Sequence, residues 1–221
     1  MAVEFFLVSP FFGYDIVFAI IFAIVSLALA IFALRISKVT SQSSTELFGI
    51  GFLLISLSYF SDSIFNFIML PQLSSTTVPT MIKLSFLTRL EFLGAYAHIF
   101  FMLSGLVILL YMTFDIKNRK VLAALLLLIL LPILLSDDAF VLFYLAASTC
   151  LIFIAYYYIK NYFKHRYVTS LVTAVAFVLI LFANIQLIFS SSDQFFYVLG
   201  HLLELVAYIL IFVNFYLVLK R

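Results

Sequence analysis

The chain has 221 residues, of which 67% are hydrophobic and 10% charged, with a formal net charge of +2. Soluble domains carry about 25% charged residues, so there is too little charge here to coat a water-facing surface, and the mean hydropathy is +1.28. A soluble enzyme, a nucleic-acid-binding protein and a disulfide-stapled domain are excluded, the last because Cys150 is the single cysteine.

Apolar blocks long enough to span a bilayer, which takes about 20 residues, recur along the whole chain. Residues 1–13 contain Pro10 and Gly13 and suit a short interfacial segment, with Phe5, Phe6, Phe11 and Phe12 at headgroup level. They show no basic leader or small-residue cleavage site, so the first span is expected to act as an uncleaved signal anchor. That span, about residues 14–36, is uniformly apolar; Arg35, Lys38 and a Ser/Thr-rich turn at 40–45 close it. The second, about 46–70, sets Ser58, Tyr59, Asp62 and Asn66 at helical spacing along one stripe. Pro71 is expected to end it, ahead of a polar loop from Ser74 to Thr80.

The third span, about 83–114, carries Arg89, Glu91 and His98, with Glu91 and His98 on one face. The fourth, about 121–135, is Leu-rich and short, with Pro132 near its end and Asp137 and Asp138 beyond. The fifth, about 141–159, ends in Tyr156, Tyr157 and Tyr158, which read as an interfacial aromatic belt. Lys160, Lys164, His165 and Arg166 follow as a basic loop. The sixth, about 167–189, bears Asn184 and Gln186 and stops at Ser190 to Asp193. The seventh, about 195–219, closes on Lys220 and Arg221. The expectation is an all-α integral membrane protein: one seven-helix bundle over residues 1–221, multi-pass in the cell membrane, with no soluble domain.

Orientation follows from the basic residues. The ends of spans one, three, five and seven hold Arg35, Lys38, Lys117, Arg119, Lys120, Lys160, Lys164, Arg166, Lys220 and Arg221, ten of the 12 lysines and arginines. Positive charge stays on the cytoplasmic side, which puts the amino terminus outside and the carboxyl terminus inside.

Polar side chains then gather in the outer half of four spans. Asp62 lies in the second, His98 in the third, Asn184 in the sixth, and His201 and Glu204, one turn apart, in the seventh. Ionisable groups inside a membrane are costly and mark functional sites by default. The candidate ligand-binding or proton-relay set is Asp62, Asn66, His98, Asn184, His201, Glu204 and Tyr208. Two imidazoles and two carboxylates (Asp62, His98, His201, Glu204) also make a candidate set for zinc or a similar divalent ion. The structural alternative is mutual satisfaction, with Asp62 bonded to His98 and Glu204 paired with Arg89. Arg89 and Glu91 read as an interfacial salt bridge and Cys150 as a helix-packing contact, while Ser58 and Tyr59 either line the pocket or make helix contacts, the second reading being preferred.

Spans one to three and five to seven repeat one order: a basic turn, then a polar residue (Asp62; Asn184), then a histidine (His98; His201). A three-plus-one-plus-three layout of parallel repeats resembles that of SWEET-type sugar transporters in order and direction, without a tryptophan or a first-span proline. Seven-helix zinc hydrolases of the ceramidase and adiponectin-receptor type are similar in span number, but His201-Leu-Leu-Glu204 stands where they carry HxxxH. Opsins share the topology, yet the only lysine near the last span is Lys220, at its inner end, so a retinal Schiff base is not expected. Three functions follow, in this order: a sensor, receptor or transporter taking a small ligand or ion at the outer-half pocket; a metal-dependent intramembrane hydrolase acting on lipids; and a haem protein ligated by His98 and His201. The expected partners are the bilayer, a small molecule or ion, and another membrane protein or a second copy.

Overall fold

The computed structural model describes residues 12–73, 81–116, 118–136, 138–189 and 194–219. The expected interfacial segment, the 74–80 loop and the Ser190 to Asp193 turn lie outside the described residues, as do Lys117, Asp137, Lys220 and Arg221. The described chain is helical: α1 (Phe12–Thr40), α2 (Ser43–Leu73), α3 (Met81–Thr113), α4 (Arg119–Leu134), α5 (Ala139–His165), α6 (Val168–Ile188) and α7 (Gln194–Leu219). Six of these, all but α4, are long and apolar enough to cross a membrane. Their outward faces agree: Phe67, Phe163 and Tyr216 are all more than half exposed. Such surfaces are stable against lipid and not against water. The protein is a helical, multi-pass membrane protein.

The expected fourth span differs. α4 has 16 residues, about 24 Å of helix against a hydrocarbon core of roughly 30 Å. Its start is set by Asn118, whose side chain caps the Lys120 N–H at 3.0 Å. Other boundaries shift as well. α1 and α2 are separated only by Ser41 and Gln42, with Ser41 in the left-handed region at φ 53°, so the expected 40–45 turn is mostly helix. α2 passes Pro71 and ends at Leu73. α5 runs on to His165, where Arg166 turns left-handed (φ 56°) and returns its N–H to the Tyr162 carbonyl at 2.7 Å. His165 is therefore helical, with its ring stacked on Tyr167 at 5.7 Å. Of the tyrosine run, Tyr156 is exposed while Tyr158 turns inward to stack on Phe177 at 5.6 Å.

Consecutive long helices pack as antiparallel neighbours, α1 on α2, α2 on α3, α5 on α6 and α6 on α7. Two further contacts close the circuit: α3 meets α5, and α1 meets α7. Both are parallel. Phe18 and Phe32 of α1 face His201 and Phe215 of α7, and His98 of α3 and Phe114, just past its end, face Phe143 and Phe153 of α5. The result is a ring of six helices, with α4 outside it against α3 and α5. Small residues let the first three approach closely. A Cβ on Gly105 would stand 2.7 Å from the Gly51 carbonyl oxygen, so α2 and α3 touch backbone to backbone there. Ser56 adds a hydroxyl bond from α2 to the Ala23 carbonyl of α1 at 2.8 Å, the kind of polar tie that joins helices where no hydrophobic drive exists between them.

Candidate functional site: a cavity inside the ring

The ring encloses a cavity of about 220 Å³, lined by α1, α2, α3, α5, α6 and α7. Its lining is segregated along the bundle axis. Towards the end that bears the α2–α3 and α6–α7 connections stand Asp62, Asn66, Glu91, Asn184, Tyr197 and His201. Towards the opposite end stand Phe52, Ile55, Leu106, Leu151 and Phe177. All seven candidate residues (Asp62, Asn66, His98, Asn184, His201, Glu204 and Tyr208) line this one cavity.

Four elements build the polar core. On α7, Glu204 and Tyr208 follow His201 at helical spacing, so the three share a face. Glu204 is 6% exposed. Its Oε1 accepts the hydroxyl of Tyr59 on α2, and its Oε2 lies 3.6 Å from His201 Nδ1. The Tyr208 hydroxyl donates to that of Tyr59 at 3.3 Å. The donors thus run in one direction, Tyr208 to Tyr59 to Glu204, and end on a carboxylate. Phe22 of α1 supports both phenols, with ring centroids 5.2 Å from Tyr59 and 5.1 Å from Tyr208. His201 is held between Phe18, parallel at 6.0 Å, and Tyr197, edge-on at 4.5 Å.

His98 is fixed differently. Its Nδ1 and its own carbonyl oxygen each lie 2.9 Å from the Ser58 hydroxyl. A hydroxyl has one proton. Both contacts are satisfied together when Nδ1–H donates to Ser58 and Ser58 donates to the carbonyl, an assignment drawn from the network. The neutral ring then carries its lone pair on Nε2. Asp62 accepts from Asn66 Nδ2 at 3.2 Å, one turn along α2. The Asn184 amide donates back to the Ile180 carbonyl at 2.9 Å, leaving its oxygen on the lining.

Several sequence expectations are redrawn here. Glu204 pairs with Tyr59 and His201 and not with Arg89, which is exposed. Asp62 is bonded to Asn66 and His98 to Ser58, in place of the expected Asp62–His98 bond. Among the described residues no ion pair joins Arg89 to Glu91: two residues apart, they leave the helix on different sides, and Glu91 lines the cavity. Tyr59, read as a packing residue, is the hub of the network, and Tyr144 and Tyr197 join the lining. The signal that marks Tyr59 is its place on the stripe it shares with Asp62 and Asn66. Ser58 does make the helix contact expected of it. Among the described residues no group of three or more His, Cys, Asp and Glu side chains is placed to hold a metal ion, so Asp62, His98, His201 and Glu204 share a cavity without forming a coordination sphere.

Compared with protein-family models, with curated proteins and with solved structures, the chain matches none of them.

Proposed function

We propose that the protein is a small-ligand-binding membrane bundle, a sensor, receptor or transporter, whose site is the cavity inside the ring. One observation carries this reading: polar side chains from α2, α3, α6 and α7, scattered over 150 residues of otherwise apolar sequence, converge on a single cavity with an apolar far end. Polar groups that served only to tie helices would pair off at separate crossings, as Asn214 does with Thr169 and Thr173. At about 220 Å³ the cavity is smaller than the roughly 300–1,000 Å³ pockets that take drug-sized ligands, which favours a small molecule and disfavours haem.

The basic residues support an orientation with the polar end of the cavity outside and the α1–α2, α3–α4 and α5–α6 connections in the cytoplasm. The ring also supports an internal repeat. In helix order, a half-turn about its axis would bring α1, α2 and α3 to the places of α5, α6 and α7 and exchange the α1–α7 contact with the α3–α5 contact. Sites at the interface of such repeats are a common transporter plan.

The test is ligand-induced stabilisation. Purified protein is screened against small polar molecules by thermal unfolding, beside Ala95→Leu, which places a larger side chain on the cavity wall. A saturable rise in the midpoint that Ala95→Leu abolishes supports the reading. A library that never shifts the native protein, with Ala95→Leu more stable than native, would mean a packing void. A second reading, proton coupling, is favoured by the one-way chain from Tyr208 through Tyr59 to Glu204. It requires proton flux in proteoliposomes that Tyr59→Phe abolishes.

A further inference from the structure

Resting on the reading of this cavity as a ligand site, we infer that its ligand is a small amphipathic cation: an organic ammonium, its charged head among Asp62, Glu91 and His98 and its hydrocarbon part towards Ile55, Met102 and Phe177. Three features of the lining point to it.

The first is charge. Among the described residues the lining contains three carboxylates (Asp62, Glu91 and Glu204) and two imidazoles, but no lysine or arginine. An anionic head would sit among like charges with no fixed cation to neutralise it, whereas a cation offsets the cost of holding carboxylates out of water.

The second is the balance of donors and acceptors. A carboxylate offers about four acceptor positions, yet among the described residues Asp62 takes one hydrogen bond, from Asn66. His98, with Nδ1–H committed to Ser58, presents an acceptor at Nε2, and the Asn184 oxygen is a further one. The phenols of Tyr59 and Tyr208 already spend their protons inside the network. Tyr144 adds one hydroxyl donor to the lining, but the acceptor positions on Asp62, Glu91, His98 and Asn184 outnumber it, and an ammonium brings donors and no acceptor.

The third is the remainder of the wall. Aromatic rings from several helices, among them Phe65, Phe143, Tyr144 and Tyr197, surround the polar end. Ring faces attract a desolvated cation, and the apolar far end accepts a hydrocarbon group. A bare inorganic ion would leave that far end unfilled and finds no ligand cluster among the described residues.

Three probes of one shape and different charge test the inference: benzylamine, benzyl alcohol and benzoate. Each is titrated at neutral pH into the full chain in detergent, by calorimetry and by thermal unfolding, beside Asp62→Asn and Glu91→Gln. Saturable binding of benzylamine, at least tenfold tighter than either other probe and weakened about tenfold in one or both variants, is the expected result. Benzyl alcohol or benzoate binding as tightly as benzylamine overturns the cationic ligand but leaves the cavity as a binding site. Benzylamine binding unchanged in both variants also overturns it, since the amine would then be reporting on the micelle. No saturable binding by any of the three overturns it as well, and the Ala95→Leu screen then decides separately whether the cavity binds anything.

Discussion

Tyr59→Phe removes one oxygen atom and breaks two hydrogen bonds, the one it donates to Glu204 and the one it accepts from Tyr208. The ring, with its contacts to Phe22 and His98, is kept. A hydrogen bond to a charged group contributes about 1.5–3 kcal/mol in soluble proteins, but side-chain bonds measured inside a membrane average about 0.6 and reach about 1.7 kcal/mol. Glu204 is 6% exposed and retains only the more distant His201 nitrogen at 3.6 Å, so the loss belongs near the upper membrane value, about 1.5 kcal/mol. Tyr208→Phe breaks only the longer 3.3 Å bond and should lose about 0.5 kcal/mol. The cost of Tyr59→Phe comes mostly from stranding the carboxylate, so replacing both partners, in Tyr59→Phe with Glu204→Met, should destabilise by clearly less than the two single changes together. The assay is reversible unfolding in mixed micelles for the four members of that cycle and for Tyr208→Phe. Equal losses for the two phenylalanine variants, or a coupling energy under about 0.3 kcal/mol, would refute the hub role given to Tyr59.

Two other outcomes follow from packing. Gly105→Ala places a methyl group 2.7 Å from the Gly51 carbonyl oxygen and 2.8 Å from Ile55 Cγ1. Overpacking of this kind costs about 1–3 kcal/mol, and the unfolding midpoint should fall by several degrees, more than for an alanine at lipid-facing positions such as Val17→Ala. Asn214→Leu removes the donor that ties α7 to Thr169 and Thr173 of α6, at 3.0 and 2.9 Å. It should cost about 0.6–1.7 kcal/mol while leaving benzylamine affinity within twofold, because Asn214 does not line the cavity; a larger change in affinity would show that the two polar groups act as one.

The fold was legible where one physical constraint dominates. Long apolar blocks mark the membrane helices, and sparse polar residues inside them stand out because each is expensive there. For that reason Asp62, His98, His201 and Glu204 could be picked out and are found on one cavity. Pairing within the cavity was not legible. Whether Glu204 meets Arg89 or Tyr59 depends on how α2 and α7 are rotated against each other, and in helices apolar on nearly every side the sequence pattern scarcely constrains rotation. Arg89 and Glu91 looked like partners because they are close in sequence, but a helix sends them apart. The length of α4 was legible: the Leu run at about 121–135 already reads as short, and the Asn118 cap and the end at Leu134 set it at 16 residues.

Because the ring closes by setting α7 against α1, the polar lining has no finished enclosure until the last helix is in place. During synthesis the α1–α2–α3 unit is complete first, with Asp62 and His98 facing towards helices that have yet to be made. Such a half-ring is the kind of partly assembled state that exposes polar groups to lipid and invites misassociation. Phe18, Phe22 and Phe32 of α1 form the face that receives α7 and closes the ring.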